Sequence, residues 1–122
     1  MSRQDFTDQL RALGHDVEVL DEERIAFPYE IPIGKFTGTK ITLGFVVQDD
    51  FPLNPPASGP HLTPRLLPLN NQSQSHPEGG VHESPQFGAE WEYWSRPHKE
   101  WAMTDHSAKA YMAFIRLLFE KQ

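Results

Sequence analysis

The stretch KITLGFVV, residues 40–47, carries the clearest structural signal in this chain. Apolar side chains fall at every second position from its second residue onward: Ile41, Leu43, Phe45 and Val47. A period of two is typical of a β-strand with one buried face, because successive side chains point to opposite sides. The sequence therefore predicts a strand here, with the preceding GKFTG segment, residues 34–38, as a turn.

Two further extended runs, residues 16–20 and 24–33, precede this strand, and residues 21–23 between them have the composition of a turn. Pro28 and Pro32 lie within the second run. Proline cannot donate to a sheet ladder, so this run suits an edge or bulged strand. Connections this short join antiparallel neighbours, because parallel neighbours need longer crossovers. The three runs predict an antiparallel β-meander.

Helical spacing marks both ends of the chain. Ser2 followed by Asp5 resembles a capping box, and apolar residues then recur at helical spacing as far as Gly14, which suits a left-handed cap. Near the other end, an apolar stripe predicts a helix of about residues 105–120, with Thr104 or Asp105 as its N-cap. The stripe consists of Ala108, Tyr111, Met112, Ile115, Leu118 and Phe119. We expect this helix to pack on the sheet.

Residues 48–103 show neither a persistent helical period nor a persistent strand period. A loop this long in a compact domain is usually functional or disordered. Disorder is disfavoured here because the segment contains many large aromatic side chains, among them Phe51, Phe87, Trp91 and Trp101. We therefore predict a long ordered loop. The whole chain, residues 1–122, is expected to form one α+β domain.

Charge and composition limit the function. The formal net charge of −6 argues against nucleic acid or an anionic membrane as the main partner, because both would be repelled. The chain has no cysteine, so disulfides, thiolate metal ligands and thiol nucleophiles are excluded. No segment has the composition of a signal peptide or a membrane span, and we expect a cytoplasmic protein. No cofactor is implied.

Three motifs in this order resemble those of ubiquitin-conjugating enzymes. FPLNPP at residues 51–56 resembles the family's aromatic-Pro-x-x-Pro-Pro segment, HPEGG from His76 resembles its His-Pro-Asn turn, and WSRP at residues 94–97 resembles its Trp-Ser-Pro step. The order of predicted elements is similar as well. The chain looks closest to short bacterial members of the superfamily, although the two final helices of the eukaryotic domain would be missing.

This resemblance implies a ubiquitin-conjugating fold with the long loop at the active site and the C-terminal helix as the crossover helix. It also implies a carrier that accepts the activated C-terminus of a ubiquitin-like modifier protein and passes it to a target amine. The implied partners are that modifier, an activating-enzyme-like protein and a deconjugating metalloprotease of the same system. Such bacterial systems include antiviral defence systems.

The family's acceptor cysteine lies between the two later motifs, and there the candidate acceptor in this chain is Ser84. A serine would carry the modifier as an oxyester, provided that a neighbouring base takes its proton. His82 and His76 are the candidate bases, because the ordinary histidine pKa suits proton transfer near neutral pH. An ordinary loop serine held in extended geometry by Pro85 is the alternative interpretation.

A second departure concerns the oxyanion. The family's asparagine donates a hydrogen bond to the developing charge, whereas this chain has Glu78, and an ionised carboxylate only accepts. The donors would have to come from elsewhere in the loop. Candidates are the backbone amides of two glycines and nearby side-chain amides: Gly79, Gly80, Asn70 and Asn71.

Two hypotheses of other classes stay open at this point. The missing thiol and the Glu78 substitution favour a catalytically silent binding module for the modifier or its activating enzyme. A metal site would draw on five of the six histidines, although their spacing matches no strong zinc pattern and thiolate ligands are lacking. These histidines are His61, His76, His82, His98 and His106.

Overall fold

The computed structural model describes residues 3–57, 59–66, 81–84, 86–95 and 98–121. Within these ranges, two α-helices and six β-strands form an α+β arrangement. The helices are α1 (Arg3–Ala12) and α2 (Ala108–Lys121), and a 3-10 turn spans Trp101–Met103. The strands are β1 (Glu18–Val19), β2 (Arg24–Glu30), β3 (Lys40–Val46), β4 (His61–Thr63), β5 (Val81–Ser84) and β6 (Gly88–Trp94). None of the helices in these ranges is long and apolar enough to cross a membrane.

The six strands form one antiparallel sheet in the order β1-β2-β3-β4-β6-β5. The first three strands confirm the predicted meander, and β4 continues it. The order then changes, because β6 lies between β4 and β5. This insertion brings the ends of β4 and β5 to the two sides of one strand, and the candidate site forms there.

The prediction that residues 48–103 form one long loop is wrong, because β4, β5 and β6 all lie within it. Strands of three or four residues, such as β4 and β5, are too short to show a period. In β6 the residues on the buried face are not consistently apolar, so no apolar alternation is visible in the sequence. The buried positions are Glu92 and Trp94, and Trp91 and Tyr93 on the opposite face are half buried. Glu92 is fully buried and accepts hydrogen bonds from the indole of Trp94 (2.7 Å) and the backbone amide of Leu66 (3.1 Å).

Pro28 occupies a locally free edge, as its chemistry requires. It lies in β2 opposite Thr42 of β3, whereas β1 pairs only with Ala26 and Ile25 of β2. On the side of Pro28 away from β3, no described strand would accept a hydrogen bond from the amide proton that proline lacks. Pro32 lies beyond the end of β2.

The end of α1 follows the predicted pattern. Gly14 has φ +98°, and its amide bonds the carbonyl of Arg11. The amide of His15 bonds the carbonyl of Leu10. This pair of hydrogen bonds is the Schellman arrangement, which satisfies the last carbonyls of a helix.

The start of α2 is three residues later than predicted. Ser107, and not Thr104 or Asp105, caps the helix, because its hydroxyl accepts the amide proton of Ala110 (3.1 Å). Asp105 instead accepts from the amide and hydroxyl of Ser107. The first amide of α2, that of Ala108, donates to the side chain of Gln9 in α1 (2.7 Å). The helix start therefore combines a local cap, Ser107, with a tertiary contact to α1.

Both helices pack on one face of the sheet. Phe6 of α1 contacts Phe45 of β3 and Tyr111 of α2 edge to face, with ring centroids 6.0 Å apart in each case. At the other end of α2, Phe119 packs against the fully buried Trp94 (5.2 Å). Edge-to-face contacts of this kind add specific geometry to the burial of apolar surface. We call this helix-covered side the inner face of the sheet and the opposite side the outer face.

Candidate functional site

Ser84 lies at the end of β5 and is almost fully buried, with 1% of its surface exposed. The pairing of β5 with β6 shifts register between Glu83 and Ser84, so that Ser84 lies opposite Gly88. Its hydroxyl oxygen accepts a hydrogen bond from the backbone amide of Phe87 (2.9 Å). This bond closes the tight connection between the two strands and is a local role for the serine.

The second partner of the Ser84 hydroxyl is a histidine from another strand. Nδ1 of His61, the first residue of β4, lies 2.8 Å from Ser84 Oγ. The serine oxygen already accepts from Phe87, so its own proton is best donated to Nδ1 of a neutral ring that carries its proton on Nε2. A serine hydroxyl donating to a histidine nitrogen is the arrangement that activates a serine nucleophile.

His61 is enclosed between two aromatic rings. The ring centroid of Phe87 lies 4.7 Å away and that of Tyr93 lies 4.6 Å away, and only 1% of the histidine is exposed. Burial lowers the pKa of His61 to about 4, because the charged imidazolium loses its hydration. No carboxylate of the described residues offsets this shift. His61 is therefore neutral at physiological pH and a weak base.

Two aromatic side chains cover the outer face beside this pair, and we call Phe87 and Trp91 the roof. Their ring centroids are 4.7 Å apart. The roof lies over Gly44 of β3, where an added Cβ would approach two ring carbons of Phe87 to 2.7 and 2.8 Å. Gly44 therefore allows the aromatic rings to lie directly on the strand.

Arg24 holds the roof from its side. The guanidinium lies over the ring of Phe87, 5.7 Å from its centroid, and donates to the carbonyl of Gln86 (2.7 Å). It also forms an ion pair with Asp21 (2.7 Å). The turn before β2 is thereby connected to the turn before β6, two segments that lie far apart in the sequence.

The predicted site residues fall into two groups. Ser84 is engaged by His61, and His82 lies on β5 with its ring stacked on Tyr93 at 6.0 Å. Among the described residues, the Ser84 hydroxyl bonds His61 and Phe87, and a catalytic role for His82 stays a prediction. The remaining predicted site residues lie outside the described residues: His76, Gly79, Gly80, Asn70 and Asn71.

No sequence pattern pairs His61 with Ser84, and His61 is predicted from the sequence only as one of five candidate metal ligands. The two residues are 23 positions apart and lie on strands separated by β6. No local spacing encodes that distance, so only the strand order brings them together. Within the described ranges, no group of three or more His, Asp or Glu side chains is arranged to hold a metal ion.

Comparison with known proteins gives no family for this chain. A scan against protein-family models finds no matching model, and neither the curated proteins nor the solved structures contain a significant match.

Proposed function

We propose that this chain is a binding module with the architecture of a ubiquitin-conjugating enzyme, which holds a ubiquitin-like modifier or its activating enzyme without carrying the modifier covalently. The observation that supports this function best is the burial of Ser84. The candidate acceptor is 1% exposed, and its hydroxyl is engaged by His61 and by the amide of Phe87. The order of a helix, an antiparallel sheet and a closing helix supports the architecture.

Acyl transfer requires the acceptor oxygen to approach the activated carbonyl to about 3 to 3.5 Å. The C-terminus of a modifier protein is a flexible chain that must reach this oxygen from solvent. Ser84 leaves it almost no accessible surface, and the roof covers the neighbouring outer face. The base beside it is also weak, because burial lowers the pKa of His61 to about 4. Both features favour a structural serine.

One observation favours an oxyester carrier as the second candidate, namely the 2.8 Å separation between Ser84 Oγ and His61 Nδ1. In that mechanism Ser84 Oγ attacks the carbonyl carbon of a modifier adenylate and passes its proton to His61. The new Oγ–C ester bond replaces the bond between the carbonyl carbon and a phosphate oxygen of AMP, and AMP leaves as an anion. After His61 has released that proton to solvent, a target amine attacks the ester carbon and forms an amide. The serine oxygen leaves and takes up the proton that the amine loses. This mechanism would replace both predicted bases by His61.

A fluorophosphonate probe separates the two functions, because it labels activated and accessible serine hydroxyls. For a binding module we expect no labelling of the folded protein. For a carrier we expect labelling at Ser84 that is lost in His61→Asn and retained in the control Ser107→Ala, which removes a hydroxyl far along the chain. Intact-protein mass spectrometry measures both.

Binding is tested separately by nuclear magnetic resonance titration. The probe is a ubiquitin-like protein with an exposed C-terminal glycine, taken from the open reading frames beside that of this chain, and the titration is repeated with its activating enzyme. Saturable shifts without a covalent adduct in the presence of ATP support the module. An adduct that resists thiol reductants but not hydroxylamine supports the carrier. The absence of binding to both proteins overturns the proposed function.

A further inference from the structure

Two parts of the chain expose large apolar side chains. Large apolar side chains exposed by more than a third occur at six described positions. Leu13, Val19 and Leu20 lie between the end of α1 and the end of β1, the edge strand. Leu117 lies on α2 and Met103 in the 3-10 turn before it, and Leu53 is in the segment after β3. Clustered exposed apolar side chains mark interaction sites more often than isolated ones.

The first surface, which we call the edge surface, comprises Leu13, Val19 and Leu20 together with the carboxylates among residues 16–23. The apolar residues are 44%, 48% and 37% exposed. Arg11 donates to the carbonyl of Val17 (3.0 Å), which holds the end of α1 against the segment before β1. Exposed carboxylates without a described ion-pair partner surround it: Asp16, Glu18, Glu22 and Glu23.

The second surface is a groove of about 340 Å³ between α2 and residues 98–104, which we call the α2 groove. Phe114, Leu117 and Leu118 provide its apolar lining. One wall is the ring of His98, which lies parallel to Phe114 at 4.1 Å with an interplanar angle of 3°. Leu117 is 50% exposed on its rim, and Met103, beside the groove, is 87% exposed.

The charge around the α2 groove has the opposite sign to that of the chain. The whole protein has a net charge of −6, whereas the charged residues that line the groove are two cations, Lys99 and Lys121, and one carboxylate, Glu100. Such a surface favours a partner that combines aliphatic anchors with carboxylates.

The edge surface of the same chain has this chemistry. We propose that the protein self-associates head to tail, with the edge surface of one copy docked in the α2 groove of the next. Val19 is the apolar anchor, and the flanking carboxylates face Lys99 and Lys121. The two surfaces share no residue, so each copy presents both at once. A contact between two different surfaces extends into a ring or a filament and does not stop at a two-fold dimer.

This inference does not depend on the proposed function, and the full chain is its own probe. Sedimentation equilibrium of the 14.0 kDa protein is measured over roughly 10 to 1,000 µM, the concentration range of weak complexes. We expect an average mass that rises with concentration beyond a dimer. It should fall in about 1 M salt, where charges are screened within about 3 Å.

Three variants define the interface. Leu117→Asp places a carboxylate in the groove, and Val19→Arg places a cation at the edge; both sites are about half exposed, so each variant should fold. Each variant alone is expected to be monomeric. The matched control is Leu53→Lys, which removes a 73% exposed apolar side chain outside both surfaces and should associate like the original protein.

The decisive measurement is an equimolar mixture of Leu117→Asp and Val19→Arg. The first retains an intact edge and the second an intact groove, so together they form one interface and give a dimer that cannot extend. A mixture that stays monomeric overturns the head-to-tail arrangement. The proposal is also overturned if the original chain is monomeric at the highest concentration, or if Leu53→Lys abolishes association as the other two do. Circular dichroism verifies the folding of all three variants.

Discussion

The hydroxyl oxygen of Ser84 and Nδ1 of His61 lie 2.8 Å apart, in a place where each residue is 1% exposed. This hydrogen bond connects β5 to β4 across the intervening strand. It has the geometry of an activated serine and the burial of a structural contact, and the consequences of these two properties can be measured separately.

Replacing Ser84 by alanine tests the structural role. Ser84→Ala leaves the amide of Phe87 and Nδ1 of His61 without their partner in a site with almost no access to water. We expect a loss of about 1 to 3 kcal/mol in the free energy of unfolding, measured by urea denaturation. The control is Thr37→Ala, which removes an exposed hydroxyl bonded to the carbonyl of Gly34 and should change stability by less than about 0.5 kcal/mol. Equal effects of the two changes would contradict the structural role.

The burial of His61 predicts a pH-dependent stability. Its pKa is lowered from 6.5 to about 4 in the folded protein, so the unfolded chain binds a proton first as the pH falls. The free energy of unfolding is therefore unaffected by His61 above pH 6.5, and it decreases as the pH falls from 6.5 towards 4. The shift corresponds to a loss on the order of 3 kcal/mol.

The matched variant for this measurement is His61→Asn, which cannot titrate. Between pH 7 and pH 4 the free energy of unfolding of the original chain should fall by about 3 kcal/mol more than that of this variant. Burial also lowers the pKa of His15 and His98, but both residues are present in both proteins and cancel from the difference. Parallel pH profiles would show that His61 is not buried as a neutral ring.

The roof predicts which side chain keeps water from His61. The ring of Phe87 lies directly against the imidazole, whereas Trp91 contacts Phe87. Phe87→Ala should therefore hydrate the imidazolium and raise the pKa of His61 from about 4 towards 6.5. Trp91→Ala should raise it less. The titration of the imidazole proton resonances gives both values, and a larger shift for the Trp91 variant would contradict this assignment.

Replacing either of two glycines with similar positive φ by alanine should destabilise the fold to different extents. Gly34 and Gly38 have φ +91° and +85°, so alanine is strained by roughly the same amount at either position. A Cβ at Gly34 would also overlap the backbone carbonyl of Phe119 in α2, whereas at Gly38 the space is open. Gly34→Ala should therefore lower the thermal midpoint clearly more than Gly38→Ala. Equal midpoints would show that α2 moves away from this turn without cost.

The buried hydroxyl of Tyr111 predicts a stabilising substitution. Its ring is in the core, and no described residue bonds its hydroxyl oxygen. Burial raises the pKa of Tyr111, because the phenolate would have no solvation there. Tyr111→Phe removes an unsatisfied polar group at nearly constant shape and should raise the free energy of unfolding by up to about 1 kcal/mol, seen as a higher urea midpoint. A loss of stability would mean that a buried water bonds the hydroxyl.

The sequence predicted those parts of the fold in which local chemistry decides. The alternation in residues 40–47 gave β3, and Gly14 marked the end of α1, because side-chain period and left-handed φ act within a few residues. The start of α2 was misplaced because Thr104, Asp105 and Ser107 are all chemically suited to cap a helix. Only the structure shows that the Ser107 hydroxyl accepts from Ala110 and that the Ala108 amide bonds Gln9, which is 99 residues away in the chain. Strand β6 was missed because its buried positions include Glu92, a charged residue that accepts from the nearby Trp94 indole and from the amide of Leu66, 26 residues away.

For the candidate site, the sequence by itself determined the chemistry that is available: no thiol, Ser84 as the candidate hydroxyl, and histidines as the candidate bases. Only the tertiary structure decided which histidine reaches the serine and how much water reaches them both. Hydrogen bonding and burial depend on separations of a few ångströms between strands. That distance is set by the position of β6 between β4 and β5, and no spacing along the chain contains it.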